Sequence, residues 1–169
     1  MKKFVLLMFS VLFICTLSAP AFAVADEDVT TVTEFSYIIV DEDKNIVSSG
    51  VIPPANARYS WPSVILQNNQ TAYFRKTDGT NFYILEGTRV SYELTKDREG
   101  YVTTTFYETN GPLGTGGYVA HSSNAFGVRS SSSFIVPEPR YGVSSGYYMF
   151  GIKSASSDPI TITSISMTF

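Results

Sequence analysis

Ser144 lies in the one segment of the sequence that matches a catalytic pattern. The stretch Gly142-Val143-Ser144-Ser145-Gly146 has the spacing of the nucleophile elbow, in which a strained turn between a strand and a helix exposes a serine. Here a strand-like alternation follows, and the single histidine, His121, precedes the serine instead of following it. Triads in other chain orders exist, so a small secreted hydrolase that uses Ser144 or a pair of carboxylates is an alternative function. Glycine and serine are also ordinary turn residues, and we predict a turn without a catalytic residue.

Acidic side chains near residue 41 partly copy a calcium loop. Asp41, Asp43 and Asn45 occupy the first three ligand positions, but Ile46 stands where the loop needs glycine and Ile52 where it needs glutamate. A single histidine is also too few for a transition-metal site. We therefore predict no metal site and no cofactor, and leave open weak calcium binding by a looser group of carboxylates.

Aromatic side chains are the remaining candidates for binding, since they form 14% of the chain and include eleven tyrosines and one tryptophan. A flat ring with a polar tip suits contact with a sugar ring or with a protein partner. Alternation along residues 101–107 places Tyr101 and Tyr107 on the outward side of a strand, and Tyr147 is placed likewise. We predict a ligand site formed by Trp61, Tyr101, Tyr107 and Tyr147, provided that these rings share one exposed surface. Tyrosine is also a good strand former, so ordinary cross-strand pairs are the alternative.

The N-terminus has the three parts of an export signal. Lys2 and Lys3 precede an apolar run over residues 4–17, and small residues follow up to Ala23. We predict cleavage after Ala23, with Ala25 as the alternative. The apolar run is shorter than the ~20 residues that cross a bilayer, so no stable membrane anchor is expected after cleavage. The protein is therefore predicted to be secreted and extracellular.

The mature chain is mildly acidic and lacks cysteine. Removal of Lys2 and Lys3 leaves ten basic residues against fifteen acidic ones, a formal net charge of −5. This balance disfavours nucleic acid and anionic membranes as partners. The single cysteine, Cys15, lies in the predicted signal, so the fold must depend on its apolar core and not on disulfides.

Short segments rich in β-branched and aromatic residues predict strands throughout the mature chain. Residues 89–95 and 147–153 alternate most clearly, with one apolar face each. In the last strand the alternation changes phase, which predicts a β-bulge near Thr163 or Ser164. The serine-rich run over 122–133 is predicted to be an irregular connection with one weak strand around 126–128.

Eight to ten short strands without helical periodicity predict an all-β, antiparallel, jelly-roll-like β-sandwich. The ending Ser145-Gly146-Tyr147-Tyr148-Met149-Phe150-Gly151-Ile152, followed by Ile160-Thr161-Ile162, resembles the last hairpin of small secreted β-sandwich proteins of Gram-positive bacteria. The resemblance implies a fold and no specific function. The expected organisation is a signal peptide over 1–23, a flexible lead-in over 24–34 and one domain over 35–169.

These features predict a non-catalytic secreted protein that binds an unknown glycan or protein. Besides the hydrolase, a secreted toxin that inserts residues 122–133 as a membrane hairpin is an alternative. Such a hairpin needs sustained alternation over ~10 residues in each strand, which this run lacks.

Overall fold

Twelve strands make up the regular structure of the part of the chain that the structure describes. The computed structural model describes residues 31–32, 34–52, 64–109, 117–137 and 146–169. Within these ranges there is no helix, and hence none that is long and apolar enough to span a membrane. The strands are β1 (Thr31–Val32), β2 (Phe35–Val40), β3 (Ile46–Ile52), β4 (Val64–Leu66), β5 (Thr71–Arg75), β6 (Phe82–Tyr83), β7 (Arg89–Lys96), β8 (Val102–Glu108), β9 (Tyr118–Ala125), β10 (Arg129–Ile135), β11 (Tyr147–Ser154) and β12 (Ile160–Thr168).

The strands form two antiparallel sheets, which confirms the predicted β-sandwich. The five-stranded sheet has the order β1-β12-β7-β10, with β4 also paired to β12. The seven-stranded sheet has the order β3-β2-β5-β11-β8-β9, with β6 paired to β11. The strands outnumber the predicted eight to ten because β1, β4 and β6 have only two or three residues, too few to show alternation. Strand β1 lies in the predicted lead-in, so the sheet begins earlier in the chain than the sequence indicates.

Alternate side chains of both sheets meet in one core. Val90, Tyr92 and Leu94 of β7 are buried as predicted, and so are the inward residues of β11. The rings of Phe106 and Phe150 lie 4.8 Å apart at the centre. Burial of these faces leaves the alternate residues of each strand on the outer surfaces of the sandwich.

The predicted bulge in the last strand is confirmed. Ile162 of β12 pairs with Lys96, whereas Ser164 pairs with the preceding residue of β7, Thr95, so Thr163 is the extra residue. The hydroxyl of Thr163 donates to the carbonyl of Thr95 at 3.2 Å. The bulge keeps both apolar sets of β12 on the core side despite the change of phase.

The serine-rich run is regular structure, which corrects the predicted irregular connection. Its residues belong to β9 and β10, and residues 126–128, predicted as a weak strand, connect the two. Strand β9 is an edge of the seven-stranded sheet and β10 an edge of the five-stranded sheet, so the chain changes sheets at this connection. Serines at alternate positions of β10 replace the apolar residues that would have identified the strand.

Candidate functional site

Four tyrosines lie on the outer surface of the seven-stranded sheet. Tyr107 of β8 is paired with Met149 of β11, and the neighbours Phe106 and Phe150 point into the core, so this pair points away from it. The same alternation places the rings of Tyr73, Tyr83 and Tyr147 on this surface. We name the set Tyr73, Tyr83, Tyr107 and Tyr147 the tyrosine face.

The middle of the tyrosine face is a small closed cluster. Tyr73 and Met149 are buried together with Val40, and Tyr107 packs against them. The rings of Tyr73 and Tyr107 meet edge to face with centroids 5.9 Å apart. Burial raises the pKa of the Tyr73 hydroxyl, which therefore stays protonated at neutral pH. The cluster is a packed apolar patch at the middle of the tyrosine face.

Gly151 makes the close approach of these two rings possible. A Cβ atom at this position of β11 would lie 2.9 Å from Cε2 of Tyr107 and 3.4 Å from the ring of Tyr73. Glycine inside a strand often marks such an approach. A larger residue would displace the Tyr107 ring from its present place.

The exposed part of the tyrosine face is the pair Tyr83 and Tyr147. Their strands pair at these residues, and the ring centroids are 5.3 Å apart at 63°. Tyr83 is 54% exposed and Tyr147 42%, which leaves ring surface available to a ligand. Gly146 precedes β11 with φ +63°, and a Cβ there would lie 2.8 Å from Cε2 of Tyr83. The pair thus depends on a glycine for both the turn and the packing.

Short polar side chains continue the surface beside Tyr107. The hydroxyl of Thr103 donates to Oδ1 of Asn124 at 2.8 Å, and the hydroxyls of Thr105 and Ser122 lie 3.4 Å apart. These residues face outward from β8 and β9, and both Ser122 and Asn124 are exposed. The outer surface therefore combines ring surface with groups that donate and accept hydrogen bonds.

The predicted ligand residues are only partly brought together. Tyr107 and Tyr147 share the tyrosine face, because Tyr147 lies two residues before Met149, the partner of Tyr107 on the adjacent strand. Tyr101 precedes β8 at its other end, and its ring packs against Phe126 with centroids 4.8 Å apart. Trp61 lies outside the described residues. Tyr73 and Tyr83 were not predicted from the sequence. The only indication of rings close to β11 was the glycine on each side of residues 147–150: Gly146 approaches Tyr83, and Gly151 approaches Tyr73.

Tyr101 belongs to a separate cleft at the end of the sandwich. The cleft has a volume of about 430 Å³, and its lining includes Arg98, Tyr101, Phe126 and Ser156. The ring of Tyr101 is 60% exposed. Tyr107 lies six residue steps after Tyr101 along extended chain, which is about 20 Å, so one small ligand does not contact both.

His121 is part of β9 and not of a loop. Its ring stacks on Phe134 at 4.6 Å, and its Nε2 lies 3.2 Å from the Ser132 hydroxyl. Burial lowers the pKa of this imidazole, so the ring is neutral at pH 7. Ser144 lies outside the described residues, and the strand β11 follows that segment as predicted.

The loop that partly copies a calcium site is closed by its own side chains. Both carboxylate oxygens of Asp41 accept hydrogen bonds from Asn45, from the backbone N–H at 2.8 Å and from the side-chain amide at 3.1 Å. These bonds lower the pKa of Asp41. Among the described residues, no group of three or more acidic, histidine or cysteine side chains has an arrangement that could hold a metal ion.

No protein-family model matches the chain, and no curated protein matches it. Solved structures resemble it at low identity. The N-terminal cellulose-binding domain of β-1,4-glucanase C from Cellulomonas fimi is 10% identical, with a TM-score of 0.42, over 78% of this chain and 84% of that chain. The xylan-binding module CBM15 is 11% identical, with a TM-score of 0.45, over 83% and 95%. The K3 adhesin domain of Lys-gingipain from Porphyromonas gingivalis W83 is 10% identical, with a TM-score of 0.46, over 83% and 100%. At such values, what these proteins bind has no bearing on the site described above.

Proposed function

We propose that the protein is a non-catalytic glycan-binding domain whose ligand lies on the tyrosine face. The observation that supports this most is the exposed pair of Tyr83 and Tyr147 on the same surface as Tyr107. The C–H bonds on one face of a pyranose ring carry partial positive charge, and the face of an aromatic ring is negative. Exposed tyrosine rings thus attract sugar rings as well as excluding water from them.

Polar neighbours supply the second requirement of sugar recognition. Hydroxyl groups around a pyranose need donors and acceptors in place of water, since an unpaired polar group is costly to desolvate. Ser122 offers such a group one position along from Tyr107 on this surface, and Thr103 and Asn124 offer both kinds of group farther along the same strands. Their short side chains lose little conformational entropy when a ligand orders them.

Rigid support favours this surface over a mobile loop as the binding site. The rings stand on paired strands of the same sheet, and the buried cluster of Tyr73, Met149 and Val40 forms the middle of the tyrosine face. Preorganised side chains cost less to order on binding. The proposed ligand is therefore a glycan chain that contacts the exposed rings with its sugar faces.

Removal of the exposed rings tests the site. We expect Tyr83→Ala and Tyr147→Ala each to weaken glycan binding about tenfold or more, because one stacked ring contributes roughly 1–3 kcal/mol to binding. A glycan array identifies a ligand, and titration calorimetry with cellohexaose and xylohexaose measures affinity. Both probes are linear chains of pyranose rings, whose faces can contact the exposed tyrosine rings.

Tyr101→Ala is the matched control, because that ring is as exposed but lies in the end cleft. Its affinity should equal that of the unmodified protein. Binding that survives both Tyr83→Ala and Tyr147→Ala, or that is lost in Tyr101→Ala alone, contradicts the proposed site. Because the proposed domain is non-catalytic, the recovered hexasaccharide should be intact in chromatography.

We also propose that the chain acts outside the cell after removal of residues 1–23. Glycans of a surface or an extracellular matrix would be the accessible ligands there. When the full chain is produced in a bacterial host, the protein in the medium should begin at Val24, as intact-mass measurement would show. A product that keeps residues 1–23 and stays with the cells would contradict this proposal.

A further inference from the structure

Strand β3 is an edge strand without a charged residue or a proline. Among the described residues it pairs on one side only, with β2. Ile46, Val47 and Val51 are 61%, 54% and 51% exposed. Natural edges are commonly blocked by charged residues, by proline or by a bulge. Strand β3 contains no charge and no proline, and its bulge lies near its start, at Val47. No strand of the described ranges occupies its second side.

The sequence of β3 is nearly the same in both directions. In Ile46-Val47-Ser48-Ser49-Gly50-Val51-Ile52, the residues at equal distances from Ser49 are isoleucine with isoleucine, valine with valine, and serine with glycine. A second copy of the strand, antiparallel and centred on Ser49, would therefore place like residues opposite each other over residues 47–51. Ile46 and Ile52 lie on opposite sides of the sheet, because Val47 is the extra residue of a bulge, and are outside this pairing. A two-fold axis requires such self-complementarity of a surface.

The absence of charge matters at a two-fold axis in particular. A charged residue near the axis meets its own copy, and directly opposed like charges destabilise a strand pair. None of the seven residues of β3 carries a charge. We propose that the protein forms a symmetric dimer in which two β3 strands pair antiparallel about Ser49.

The orientation of the side chains agrees with this register. Ser49 pairs with Ile38 and points outward, while Ser48 and Gly50 pair with Ile39 and Tyr37 and point inward. Opposed residues of an antiparallel pair lie on the same side of a sheet. Pairing about Ser49 therefore joins outward residues to outward ones and gives one continuous sheet. The register shift between Ile39 and Val40 makes Val47 an extra residue and leaves residues 48–52 as the regular part of β3, so the ladder between the two copies is short.

The dimer would place both tyrosine faces on the same side of the joined sheet. Strand β11 is the fourth strand from the β3 edge, so the two copies of β11 lie seven strand spacings apart, about 34 Å. This consequence rests on the proposed function: one glycan chain or surface could engage both faces, which raises the apparent affinity without new contacts. Dimer formation itself does not depend on glycan binding.

Charge placed on the axis tests the register. Ser49 is exposed, so Ser49→Lys and Ser49→Asp leave the core intact, yet each puts two like charges face to face in the dimer. In sedimentation velocity at increasing concentration, the unmodified protein should shift from monomer to dimer while each variant stays monomeric. An equimolar mixture of the two variants should sediment as a dimer again, because lysine then lies opposite aspartate.

Ser122→Lys is the matched control, since Ser122 is exposed on the same surface but on the opposite edge strand, β9. This variant should dimerise like the unmodified protein. The proposal is overturned if the unmodified protein is monomeric at every concentration or if Ser49→Lys still dimerises. It is also overturned if the mixture of lysine and aspartate variants stays monomeric. All these outcomes are read without glycan, so they are separate from failure of the tyrosine face.

Discussion

At the scale of single residues, Lys96 holds one end of the sandwich together. Its side chain is buried, and Nζ donates to the carbonyls of Gly100 and Phe126 at 2.6 and 3.0 Å, with the Ala125 carbonyl at 3.4 Å. The Gly100 carbonyl belongs to the β7–β8 connection, the Phe126 carbonyl to the β9–β10 connection, and Ala125 is the last residue of β9. Burial lowers the pKa of this ammonium group, and the charge of Glu99 opposes that shift. A buried cation is tolerated here because carbonyl oxygens replace its water.

Replacement of Lys96 by methionine should destabilise the domain by about 3 kcal/mol, since buried carbonyls lose a charged donor. The free energy of unfolding from urea denaturation measures the change. Lys76→Met is the control, because Lys76 is exposed in the turn after β5. This control should change the free energy by no more than about 0.5 kcal/mol. Equal effects of the two substitutions would contradict the role given to Lys96.

At the scale of elements, the last strand shows how one extra residue preserves a core. Ile162, Ile165 and Met167 are all buried, although an uninterrupted alternation cannot bury both the even and the odd position. Thr163 absorbs the difference. The bulge is visible in the sequence because isoleucine and methionine mark the buried positions on both sides of it.

Deletion of Thr163 should therefore be tolerated, because it restores alternation from Ile162 to Met167 and removes only one hydrogen bond to Thr95. We expect a loss of about 1 kcal/mol in the free energy of unfolding. Deletion of Ser166 is the contrast, since it would turn Met167 outward and leave a hole in the core. Urea denaturation with near-ultraviolet circular dichroism would compare them. A larger loss of unfolding free energy from deletion of Thr163 than from deletion of Ser166 would contradict the assignment of Thr163 as the extra residue.

Strands β9 and β10 show where sequence patterns fail. Alternation is recognised by apolar residues, but Ser130 and Ser132 occupy inward positions of β10, and His121 and Ser123 occupy those of β9. These polar residues are accommodated because two edge strands meet there and are only half buried. The pairing of His121 with Ser132 and its stacking on Phe134 depend on this contact between sheets, which no local pattern encodes.

At the scale of the whole molecule, the sequence predicts the fold class better than it predicts which side chains form the tyrosine face. Alternation along β7 and β11 reveals which residues enter the core, because that depends on neighbours within one strand. The tyrosine face depends on which strands are adjacent. Tyr107 and Tyr147 could be predicted as outward residues, but their proximity to Tyr73 and Tyr83 follows from the order β5-β11-β8 and the pairing of β6 with β11. Tyr101 fits the same alternation and yet lies at the other end.

The central claim is that a glycan occupies the outer surface of the seven-stranded sheet. Its most direct test is a titration of the ¹⁵N-labelled protein with cellohexaose and xylohexaose, followed by amide chemical shifts. We predict that the largest shifts fall on Tyr83, Tyr107, Tyr147 and Asn124, with no change along the outward residues of β7 and β10. Shifts confined to the end cleft at Tyr101 and Phe126, or to the five-stranded sheet, would contradict the claim.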